Sequence, residues 1–126
     1  MNDHLPVRRV AAPAGGAVAL RRVALLFALA AQLADAVTFV AGARAGVPLV
    51  DEANPLARAL VPVAGLAGVV DLKLLGELAL FGVLALGERL LTPRSARRFV
   101  LVGSALIGLA GLVGTLVNVI AAMSLR

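Results

Sequence analysis

Cysteine, tyrosine and tryptophan are all absent from this chain. Without cysteine there is no disulfide, no thiolate metal site and no thiol nucleophile. Histidine occurs once, as His4, so a histidine metal cluster within one chain is excluded; no motif calls for a metal or a cofactor. Without tyrosine and tryptophan the usual aromatic belt at a membrane interface is missing, and arginines must set helix depth instead. Aromatic residues reach only 3%, too few to interleave with the basic ones for base stacking. The net charge of +5 therefore does not read as nucleic-acid binding, because the arginines flank apolar runs rather than forming one face.

What is present is apolar. Hydrophobic residues make up 61% of the chain and charged ones 15%, too few to cover that much apolar surface in water. Long uncharged runs point to lipid as the solvent. The expected fold is all-α: an integral membrane protein with three transmembrane helices and a short helix in the first loop. Residues 1–22 carry Arg8, Arg9, Arg21, Arg22 and an Ala-Pro-Ala-Gly-Gly run, and read as a mobile basic tail. Residues 23–126 read as the transmembrane domain, with spans at about 23–43, 64–87 and 99–125, each near the roughly 20 residues a bilayer needs. A cleaved signal peptide is the rival for the first span; the apolar run continues past any small-residue cleavage site, which argues against it.

The first loop holds Asp51, Glu52, Asn54 and Pro55. Asparagine followed by proline is a helix start, with the amide capping free N–H groups and the acidic residues placed at the positive end of the helix dipole. Pro62 should break or kink the helix that follows. Arginines are concentrated in the tail and in the second loop, at Arg89, Arg94, Arg97 and Arg98. That distribution predicts a protein of the inner (plasma) membrane with its N-terminus cytoplasmic and its C-terminus outside.

Polar residues within the spans carry the most information, because each ionisable group at the bilayer centre costs about 2.5–3.5 kcal/mol. Counting depth at about 1.5 Å per residue sets Asp35 of the first span level with Lys73 of the second. Gln32 and Glu77 match one level deeper. Gln32, Asp35 and either Thr38 or Phe39 share a helix face, as do Lys73, Gly76 and Glu77. Lys73 is the one lysine in the chain, and both Asp35 and Glu77 are candidate partners. Asp71 points roughly the other way. The third span carries a stripe of Ser104, Gly108, Gly111, Thr115 and Asn118, spaced for close helix packing.

The pattern Asp-Ala-Val-Thr at 35–38, Glu-Ala-Asn-Pro at 52–55, a buried lysine at Lys73 and a late asparagine at Asn118 resembles a family of small three-helix prokaryotic membrane proteins of unknown function. The resemblance covers about residues 32–118 and implies a fold without an activity. Asp71 and Glu77 have no assigned place in it.

The plainest reading makes Asp35, Thr38, Glu52, Asn54, Lys73 and Asn118 one satisfied polar knot that fixes helix register. No serine or threonine sits beside an evident base, so no catalytic residue is assigned and an enzyme is not expected. Three functions remain; an intramembrane enzyme ranks last, and two stand ahead of it. One is an accessory or assembly subunit of a larger membrane complex, partnered by lipid and by other membrane subunits. The other is a self-associating channel or carrier for ions or small solutes, built on the buried Asp, Lys and Glu.

Overall fold

The structure is a computed structural model that describes residues 14–49 and 55–125. Those residues form three helices: α1 (Ala14–Arg44), α2 (Pro55–Leu90) and α3 (Pro93–Met123). Helix is already present from Ala14, within the segment expected to be a tail. The proposed cap Asn54 and the acidic residues before it lie outside the described residues.

Local chemistry explains the ends. After α1 the chain turns through Gly46, whose φ of 100° is open to glycine and strained for other residues. Val47 N–H donates to Gly42 O at 3.0 Å and Gly46 N–H to Ala43 O at 3.2 Å, a pair that satisfies the last carbonyls of the helix. Pro48 follows, and cannot continue it. Pro93 opens α3 at a position where the missing N–H loses nothing.

One expectation about the fold is overturned. Among the described residues two helices, α1 and α3, are long and apolar enough to cross a membrane, over Val18–Arg44 and Pro93–Met123. The third expected span and the separate short helix of the first loop do not fit. The segment from Pro55 is continuous with α2, with a kink at Gly65 (φ 58°, ψ −155°), one turn beyond Pro62. Before that kink α2 is too short to span. After it, Asp71, Lys73 and Glu77 fall within two turns, so α2 has no apolar stretch as clean as those of α1 and α3.

Chain direction follows from the contacts. Phe27 meets Gly108, Ala31 meets Gly111 and Asp35 meets Gly114, so α1 and α3 run the same way. Arg21 pairs with Glu88 and Asp35 with Lys73, so α2 runs back alongside. Among the described residues the contact between α1 and α3 is the most extensive. Small residues make it so: Ala28 and Ala31 on α1 lie along Gly108 and Gly111 on α3, Gly42 lies farther along beside Asn118, and all five are buried. A Cβ at Gly111 would lie 2.6 Å from the carbonyl carbon of Ala31, a distance that only glycine avoids. Two apolar clusters complete the core, one of Ala28, Leu84 and Ile107 and one of Phe39, Ala57 and Val69.

Candidate functional site

Polar side chains of all three helices converge at one level of the bundle. Asp35 is presented by α1 on its buried stripe, with 9% of its surface exposed. Lys73 Nζ of α2 lies 3.3 Å from Asp35 Oδ2. Asn118 Nδ2 of α3 donates to Asp35 Oδ1 at 2.9 Å, and also lies 3.2 Å from Asp35 O and 3.3 Å from Thr38 Oγ1. Each carboxylate oxygen thus has a donor from a different helix. Charge-assisted bonds of this type are the strong ones, and they offset the desolvation of a buried carboxylate.

Thr38 serves from the next turn of α1. Its hydroxyl bonds back to its own helix, at 2.8 Å from Ala34 O and 3.1 Å from Asp35 O, which leaves its lone pairs turned toward Asn118. Phe39 adds a face: Lys73 Nζ stands 4.8 Å from the ring centroid, within cation–π range. Gly114 is what lets the carboxylate sit here, because a Cβ at that position would fall on Asp35 Oδ1.

The other expected residues are placed as follows. Gln32 does not turn to Glu77; its Nε2 donates to Ile107 O of α3 at 2.7 Å. Glu77 is half-buried one turn from Lys73, and Asp71 is exposed on the far side of α2. Thr115 Oγ1 bonds within its own helix to Gly111 O at 2.8 Å. Ser104 is completely buried, and its hydroxyl has no hydrogen-bond partner among the described residues. Glu52 and Asn54 lie outside the described residues. Sequence reasoning missed Gly114. Its signal was the run Gly111, Gly114, Asn118, spaced three and four on one helix face.

A cavity of about 400 Å³ opens against this cluster. Asp35, Lys73 and Asn118 give it a polar wall, while Val47, Pro48 and Leu49 of the turn after α1 and Val113 and Val117 of α3 make the rest apolar. The site can hold a buried charge pair in fixed geometry beside an apolar hollow. Comparison of the chain with protein-family models, with curated proteins and with solved structures finds no match, so no relative lends this site a role.

Proposed function

We propose that this chain is a multi-pass protein of the inner membrane that acts as an assembly subunit, held together by its polar knot and covered by partner subunits and lipid. The observation that supports this most is an inside-out distribution of polarity. Leu26, Leu29, Leu33 and Val37 on α1, and Val102, Leu106, Leu109 and Leu116 on α3, are uncovered, while Gln32, Asp35 and Ser104 are buried. Water would favour the reverse, and hydrocarbon favours this. A partner is suggested by Asp71, a carboxylate exposed on α2 near uncovered Leu74, Leu75 and Leu78.

The test is native mass measurement after detergent extraction. Unrelated subunits at fixed ratio, lost on Asp71→Leu, are the expected result. A defined homo-oligomer would replace this reading with a channel or carrier built on Asp35, Lys73 and Glu77, which the cavity beside the pair favours. A lone monomer would remove both.

The same arrangement supports an orientation. The Arg21–Glu88 pair and the contact of Phe99 with Gly87 bring Arg21, Arg22, Arg89, Arg94, Arg97 and Arg98 to one end of the bundle. Basic clusters favour the cytoplasmic face. Because the chain has no native cysteine, Ser95→Cys and Ser124→Cys can be labelled without background. Ser95→Cys is expected to react from the cytoplasmic side and Ser124→Cys from the other. Reaction of both from one side would rule out α3 as a crossing helix.

A further inference from the structure

At the arginine-rich end a second hollow, of about 470 Å³, runs between α2 and α3. Arg98 stands at its mouth; Leu80, Val83, Phe99, Val102 and Leu106 line it below. Leu80, Val83, Val102 and Leu106 are each about half exposed or more, so no segment of the described chain covers them. From Arg98 to Leu106 the hollow descends about 12 Å along α3, close to the roughly 15 Å depth of one leaflet.

Charge here has one sign. Arg94, Arg97 and Arg98 are exposed on the first two turns of α3, and Arg22 and Arg89 are exposed at the same end. The acidic side chain among the described residues at this end is Glu88, and its carboxylate is already paired with Arg21. A guanidinium above an apolar slot repeats the head-to-tail order of a phospholipid. Arginine is also the side chain best shaped for two parallel bonds to a phosphate.

We propose that this groove binds one anionic phospholipid, with its phosphate on Arg98 and one acyl chain lying between α2 and α3. The site rests on the reading that this end of the bundle sits at headgroup level. It is separate from the Asp35–Lys73 cluster, with which it shares no lining residue.

The experiment is native mass spectrometry of the full chain in neutral detergent, titrated with phosphatidylglycerol or phosphatidylethanolamine of identical acyl chains. The expected result is a retained one-to-one adduct with phosphatidylglycerol in preference. Arg98→Gln should cut that preference about fivefold, the loss of one basic residue near an anionic headgroup. Val102→Trp should fill the slot and reduce retention of both lipids. Both positions are exposed, so both variants should keep the helical circular dichroism of the parent. Equal retention of the two lipids would overturn the proposal, as would a preference unchanged in Arg98→Gln. So would a second copy or partner helix seated in the groove in place of lipid. A chain that stays soluble without detergent would overturn the membrane reading and this site together. A micelle-bound chain indifferent to headgroup overturns this site alone.

Discussion

Replacing Gly111 by leucine is expected to destabilise the fold by about 3 kcal/mol, the upper end for an overpacked position. The reason is that a side chain at Gly111 meets backbone. An added Cβ would sit 2.6 Å from Ala31 C and 2.8 Å from both Ala31 O and Gln32 N. None of these atoms can rotate aside, so relief requires α1 and α3 to separate. Separation would also loosen the Gln32–Ile107 bond and pull Asn118 from Asp35. Even Gly111→Ala should be clearly destabilising. The control is Gly76→Leu, where an added Cβ meets nothing within 4 Å. Thermal unfolding in one detergent measures both. Equal midpoints for Gly111→Leu and Gly76→Leu would mean that the seam between α1 and α3 is not an interface.

Breaking the charge pair from one side is expected to be the other large effect. Lys73→Met leaves the Asp35 carboxylate buried, with Asn118 as its remaining cross-helix donor. Asp35→Asn takes the opposite charge from Lys73, although Glu77, one turn away on α2, can substitute in part. Each single change should cost about 3–5 kcal/mol, because the stranded charge keeps its desolvation penalty without the attraction. Removing both should restore part of the loss. A double-mutant cycle on reconstituted protein should give a coupling of about 0.5–3 kcal/mol. Strictly additive losses would show that the pair contributes nothing as a pair.

The level of the Asp35–Lys73 contact is readable from the sequence because depth in a helix is a matter of counting. Both residues lie a similar number of positions from the same end of the bundle, and a lone lysine in an apolar segment needs a partner. What counting cannot supply is rotation about the helix axis. Gln32 is level with Glu77, yet it faces α3, because its direction is decided by which neighbour packs closest to α1. Gly114 escaped for a related reason. A glycine looks alike whether it faces lipid or clears room for a carboxylate, and its meaning appears only once Asp35 is opposite.

Charge was the harder problem in α2. Residues 64–87 are apolar enough on average to suggest a span even with Asp71, Lys73 and Glu77 in view, but the average does not show the Gly65 kink ahead of those charges. Glycine accepts many conformations, so neither its presence nor the nearby Pro62 says which residue bends.

The tight α1–α3 seam also bears on how the molecule is made. Its two halves lie far apart along the chain, so it closes only after α3 has left the ribosome. Until then Gln32 has no Ile107 carbonyl to reach, and Asp35 has Lys73 but not Asn118. Docking of α3 is thus the step that completes the polar cluster. A premature stop ahead of α3 leaves a nascent product in which Gln32 lacks its Ile107 acceptor and Asp35 keeps Lys73 as its cross-helix partner.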